Sequence, residues 1–193
     1  MSLEERRYSV LIASASENLN LALSSLLPAS AFSSVQTVDS INAAQRILAE
    51  RDFDFVIVNT PLPDDTGIRF AIDACTGGTV VLLLVKSDIY MGIYDRVVSH
   101  GVFTLSKPTS KQALSQALRF LASARERMRK AEKKTLSIEK KMEEIRIVNR
   151  AKWLLINELK MDEPHAHHYI EKQAMDLCVT KRQVAEKIIN TYS

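Results

Sequence analysis

The sequence predicts an α/β fold, a doubly wound five-stranded parallel sheet, followed by a long helix or coiled coil and a small three-helix bundle. Three observations predict it. Five short aliphatic or β-branched runs alternate with helix-patterned stretches over the front of the chain. From Lys111 to Leu159, 49 residues contain neither Gly nor Pro. Three apolar-periodic blocks separated by turn residues then run from about Glu143 to Ile189.

Each element has a local reason. Tyr8–Ala13 (YSVLIA) is the first buried strand. Glu17–Leu27 carries leucines at helical spacing and is stopped by Pro28. Ser33–Val38 is the second strand, and Asp39 or Ser40 caps the helix Ile41–Glu50. Phe55–Val58 (FVIV) is the third strand, followed by the loop TPLPDDTG and a short helix, Ile68–Ala74. Thr79–Val85 is continuously apolar, as a central parallel strand covered on both faces must be. A helix over Met91–Ser99, a last strand over Val102–Leu105 and a helix capped by Thr109 complete the unit. Ligands in such sheets bind beyond the carboxyl ends of the strands. The loops at Ser14–Glu17, Asn59–Gly67, Lys86–Tyr90 and Ser106–Thr109 are therefore the ones to inspect.

Composition narrows the function class. At 46% hydrophobic and 25% charged residues the chain can bury a core. No apolar run reaches the ~18–20 residues of a membrane span, and the start lacks an apolar signal core. A cytoplasmic protein without membrane contact is expected. Cys75 and Cys178 are far apart, which argues against a disulfide framework or a zinc finger. Residues 1–120 hold 10 Lys/Arg against 12 Asp/Glu, and residues 121–193 hold 16 against 11. A basic back half is compatible with nucleic acid contact or with a solvated helix face.

The strand FDFVIVN, the loop PLPDDTG and the terminal strand VFTLSKP make residues 8–122 similar to the receiver domain of two-component response regulators. That resemblance implies a phosphoacceptor aspartate, an acidic pair for Mg²⁺, a Thr or Ser after the fourth strand and a Lys before Pro. Here the phosphoacceptor position is Asn59, the acidic-pair positions hold Ser14 and Ala15 (or Ser16), and the hydroxyl position falls at Leu84 or Val85. Glu17 is the only acid nearby, and Lys107 alone survives. An amide cannot form an acyl phosphate, and Mg²⁺ needs carboxylate oxygens. The expectation is a pseudo-receiver without catalysis, metal or cofactor, in which Lys107 is buried or bridges loops. Asp64 and Asp65 are expected to cap a turn.

Along the long helix, Leu114, Ala117, Leu121, Ala124, Met128, Ala131, Thr135, Ile138, Met142, Ile145 and Asn149 recur at 3-4 spacing. This is a coiled-coil signature and predicts a parallel homodimer. Arg127–Glu132 and Lys134–Glu139 would attract across it, and Lys141–Arg146 would repel. The other reading is a helix whose first turns cover the sheet and whose remainder is solvated.

The segment IVNRAKWLLI, MDEPHAHHYIEKQAMD, TKRQVAEKII resembles the ANTAR domain, an RNA-binding antitermination module. Val148, Ala151, Lys152, Leu155, Glu163, Ala166, Ala174, Met175, Val184 and Ala185 match the family pattern; Ile156, Trp153 and Ile145 depart from it at positions where Met, Gly and Arg are usual. The expected divisions are a receiver-like domain over 1–122, a helical linker over 123–142 and an ANTAR domain over 143–193. The resemblance implies binding of stem-loops in nascent mRNA that prevents a terminator from forming, with the receiver controlled by a regulatory protein or ligand. Arg146, Arg150, Lys152, Lys181 and Arg182 are the candidate RNA contacts; Lys152 carries the family motif and the other four follow from charge and placement. Trp153 would stack on a flipped base or pack in the core or the dimer seam beside Leu154 and Leu155. His165, His167 and His168 lack an acidic or Cys partner nearby in sequence and are expected to form a polar face rather than a metal site. The alternative function is a dimeric protein-interaction adaptor that binds no RNA.

Overall fold

The computed structural model describes residues 7–192. Five parallel strands, β1 (Tyr8–Ala13), β2 (Phe32–Val38), β3 (Phe55–Asn59), β4 (Val80–Lys86) and β5 (Phe103–Lys107), form one sheet in the order β2-β1-β3-β4-β5. Helices α1 (Glu17–Leu26), α2 (Ile41–Glu50), α3 (Ile68–Ala74), α4 (Tyr90–Val97) and α5 (Lys111–Leu159) follow the strands in turn. The predicted class is correct, and most boundaries lie within a residue or two.

Alternation along the strands builds two cores. Val10, Ile12, Phe55, Ile57, Val80, Leu82 and Leu84 pack with Leu23 and Leu27 and with Leu114, Leu118 and Leu121 of α5. Leu11, Ala13, Val56, Val58, Val81, Leu83 and Val85 pack on the other side with residues of α2, α3 and α4, including Ala44, Phe70 and Val97. Each fully buried Val, Leu or Ile contributes about 1.5–3 kcal/mol, so the central strands dominate the stability of this layer.

Capping defines the helix starts. Ser40, not Asp39, caps α2: its Oγ accepts from the Ala43 N–H at 3.4 Å. At α5 the expected cap, Thr109, gives way to Ser110, whose Oγ accepts from the Ala113 N–H at 3.1 Å. Gly67 opens α3 at φ +73°. A Cβ there would lie 2.8 Å from Val58 and 3.0 Å from Ile41, so only Gly satisfies both the backbone and the packing.

Two compact units divide the chain between Lys130 and Ala131. The first turns of α5 belong to the front unit. Leu114 and Leu121 are buried there, and Ala117 and Ala124 pack against the same core. These four heptad positions cannot serve a dimer seam, because the sheet already covers them. Arg125 and Arg129 also serve the front unit, so the compact front unit takes in the turns of α5 as far as Lys130. In the back unit the last turns of α5 pack with α6 (Glu163–Asp176) and α7 (Lys181–Tyr192) around Ala151, Leu155, Ala166, Ile170, Ala174, Val184, Ala185 and Ile188. Alanine at half of these positions lets the helices approach closely. Asp162 caps α6, accepting from the His165 N–H at 2.8 Å, and Pro164 occupies its first turn. Thr180 Oγ1 accepts from the Gln183 N–H at the start of α7.

Candidate functional sites

The carboxyl ends of β1, β3 and β5 bring Ser14, Asn59 and Lys107 together. Asn59 is 7% exposed and Ser14 is 1% exposed. Lys107 Nζ donates to Asn59 Oδ1 and to the Thr60 carbonyl, both at 2.6 Å. Asn59 Nδ2 donates to Ser14 Oγ at 3.1 Å, and that hydroxyl also accepts from the Ser16 N–H. Burial lowers the Lys107 pKa, and the charge of Lys86, its register partner on β4, lowers it further. The ammonium faces neutral carbonyl oxygens where a receiver would offer a carboxylate.

This donor set does not fit a divalent cation. Ser14, Ala15 and Ser16 supply no carboxylate, Asn59 supplies a neutral oxygen already engaged by Lys107, and Glu17 is exposed in the first turn of α1. These positions offer no carboxylate to accept a phosphoryl group. One sequence assignment needs correction. Leu84 and Val85 are wholly buried in opposite cores, so neither reaches the loop end of β4. Strand β4 runs on to Lys86, with Ser87 next, and the cation pair Lys86–Lys107 replaces the expected hydroxyl position.

Asp64 has a structural task. Its carboxylate accepts from the Ile41 and Asn42 N–H groups, both at 2.9 Å, pinning the loop after β3 to the start of α2. Those hydrogen bonds hold its carboxyl below the usual range. Asp65 closes its own turn by accepting from the Gly67 N–H at 2.6 Å. An anchor of greater consequence was not apparent in the sequence. Asp54 accepts from the Ser9 N–H at 3.0 Å, Arg125 Nε at 2.9 Å and Arg129 Nη2 at 2.7 Å. Arg129 also pairs with Glu126 at 2.9 Å and lies 5.2 Å from the ring centre of Tyr8. These partners are more than 40 and 70 residues apart in sequence, and no spacing rule links them.

In the back unit the five basic candidates do not gather on a single face. Lys152, Lys181 and His167 line one groove with Lys141, Ile145, Val148 and Asn149. Lys152 Nζ is 2.8 Å from Glu163, and Lys181 pairs with Glu171. Arg182, on α7, is 2.8 Å from Glu186 and 3.5 Å from Glu143. Arg146 and Arg150 lie four residues apart on another exposed face of α5, and among the described residues neither makes an ion pair. Trp153 is 65% exposed, so it is not a core residue; Leu155 is the neighbour that turns inward. His165 Nδ1 lies 2.6 Å from the accepting Asp162 Oδ1, and His167 lies 3.3 Å from Glu171. Among the described residues no cluster of His, Cys, Asp and Glu could hold a metal ion, and no helix is long and apolar enough to cross a membrane.

Comparisons with known proteins follow this division. Residues 137–189 match the ANTAR domain. Over 139 residues the chain is 27% identical to the transcriptional regulatory protein PdtaR of Mycobacterium tuberculosis, covering 72% of this chain and 68% of that protein. The signal receiver domain of an HD domain-containing protein from Pseudomonas fluorescens aligns with a TM-score of 0.58 at 24% identity, covering 67% of this chain and 97% of that one. Full-length FixJ from B. japonicum aligns with a TM-score of 0.55 at 15% identity, over 95% and 98% of the two chains. These structural likenesses establish the fold. Taken together, the comparisons show an ANTAR domain in the back unit, a receiver-type fold in the front unit, and a likeness over most of the chain to a transcriptional regulatory protein.

Proposed function

We propose that this protein is a transcription antiterminator that binds stem-loops in nascent mRNA, prevents terminator formation and is controlled independently of receiver phosphorylation. The observation that carries the reading is the ANTAR match over residues 137–189, which coincides with the basic three-helix unit. Lysines and arginines there can neutralise phosphates, and an exposed aromatic can meet unstacked loop bases. The protein acts by binding, without catalysis or cofactor, in the cytoplasm. Residues 1–122 serve as input domain, 123–142 as helical linker and 143–193 as RNA-binding domain.

The carboxylate-free Ser14–Asn59–Lys107 network supports phosphorylation-independent control, because it offers neither an acceptor carboxylate nor carboxylate ligands for Mg²⁺. A regulatory protein or ligand acting on the front unit would then supply the signal. Met128, Ile138, Met142 and Ile145 are 41–58% exposed at the remaining heptad positions of α5, which supports a homodimer through that seam. Two ANTAR units in one dimer would hold two loops of one RNA by effective concentration.

Fluorescence anisotropy with a two-hairpin, hexaloop RNA tests this reading. Loop-dependent binding that Lys152→Ala weakens by ~1–3 kcal/mol supports it. Equal, weak and steeply salt-dependent binding of loop-scrambled RNA by both proteins would move the adaptor reading ahead.

A further inference from the structure

Trp153 is the chain's only tryptophan and sits 65% exposed on α5, which ordinary packing does not explain. Its neighbour Leu155 is buried, so the helix has apolar positions to spare for the core without it. At 3.6 residues per turn, Arg146, Arg150 and Trp153 share one face, at i, i+4 and i+7. The ammonium and guanidinium groups of Lys152, Lys181 and Arg182 are each matched by a glutamate, whereas among the described residues Arg146 and Arg150 are not. Glu143, three residues before Arg146, is turned to Arg182 at 3.5 Å. The face therefore offers two unneutralised guanidinium groups beside an open indole.

We propose that Trp153 stacks on an unpaired RNA base, with Arg146 and Arg150 holding the adjoining phosphates. This rests on the RNA-binding reading and adds a base contact at a position where the family pattern has Gly. The chemistry is that of single-strand recognition, in which an aromatic surface takes a base and neighbouring cations track the backbone. A dimer seam is the weaker explanation. The seam positions that approach Trp153 are Asn149 and Lys152, both polar, and Lys152 is tied to Glu163 at 2.8 Å. The apolar stripe ends at Ile145, two turns short of the indole.

Because Trp153 is the only Trp, indole emission of the full-length protein reports on this position alone. The experiment titrates the fluorescein-labelled two-hairpin hexaloop RNA, and a loopless duplex of equal length, into wild type, Trp153→Phe and Trp153→Ala. Anisotropy and, for wild type, indole emission are followed together, with circular dichroism confirming the fold. The expected result is emission quenching that saturates with the hexaloop anisotropy and is absent with the duplex. Trp153→Ala should weaken hexaloop binding by about 5- to 140-fold, the range for one stacked base, and Trp153→Phe should retain most of it. Tight loop-dependent binding with unchanged emission and an unaffected Trp153→Ala would overturn the stacking assignment while leaving the RNA reading intact. Conversion of Trp153→Ala from dimer to monomer in sedimentation would overturn it in favour of the seam. Absence of loop-dependent binding by wild type would remove the RNA reading and this assignment with it.

Discussion

Replacing Asp54 by Ala should destabilise the front unit by about 2–4 kcal/mol. Asp54 is 13% exposed, and its partners Arg125 and Arg129 are 15% and 23% exposed. Breaking a fully buried pair costs about 3–5 kcal/mol, because the surviving charge is left without compensation. Residual solvent at both guanidinium groups trims that figure, while the orphaned Ser9 N–H, which donates to Asp54 at 3.0 Å, restores part of it. At about 3–4 °C per kcal/mol for a unit of this size, the melting temperature should fall by roughly 10 °C. The assay is urea and thermal denaturation followed by far-UV circular dichroism, with a double-mutant cycle through Arg129→Met. Additive losses, or an Asp54→Ala loss under about 0.5 kcal/mol, would refute the argument that this cluster fastens α5 to the sheet.

The cluster also sets a pH signature. Burial pushes the Asp54 carboxyl up, but the Ser9 N–H, the Arg125 hydrogen bond and the Arg129 charge outweigh it and leave the group below its ordinary value. A carboxyl depressed in the folded state stabilises fully above its unfolded pKa of about 3.9 and loses that contribution as pH falls through the folded value. The stability gap between wild type and Asp54→Asn should therefore stay constant from about pH 5 to 8 and close below about pH 4.

Two further predictions concern the front unit. Asn59→Asp should not restore phosphorylation by acetyl phosphate with Mg²⁺, because Ser14, Ala15 and Ser16 still offer no carboxylate; a mass increase of about 80 Da at residue 59 would show that the cation site is more complete than its ligands indicate. Gly67→Ala should cost about 2–4 kcal/mol in urea denaturation, combining a left-handed backbone at φ +73° with a Cβ 2.8 Å from Val58; a near-neutral result would mean that Val58 and Ile41 can repack.

Local patterning made much of this molecule legible. The fully apolar run in β4 identified a central parallel strand because a side chain on either face there meets a helix layer. Asn59 and Lys107 could be assigned because each ends a strand of the sheet, and strand ends converge when all strands run parallel. The heptad pattern was legible but ambiguous. Leu114 and Leu121 follow the same 3-4 spacing as Met128 and Ile138, yet the first pair is buried in the front unit and the second is exposed. Periodicity records that a helix has an apolar stripe and is silent on what covers it.

The sequence by itself determined the alternation of elements, the loss of the carboxylates at the phosphorylation position and the ANTAR character of the back unit. Those properties reside in residue identity and short-range spacing, which folding does not change. Only the tertiary structure decided that Asp54 meets Arg125 and Arg129, that Lys86 rather than Leu84 or Val85 ends β4, and that Trp153 faces solvent beside two arginines that make no ion pair among the described residues. Each of those depends on which distant segment packs nearby or where a strand stops. Such outcomes are set by the competition among many weak contacts across the whole domain, and no local window of sequence contains them.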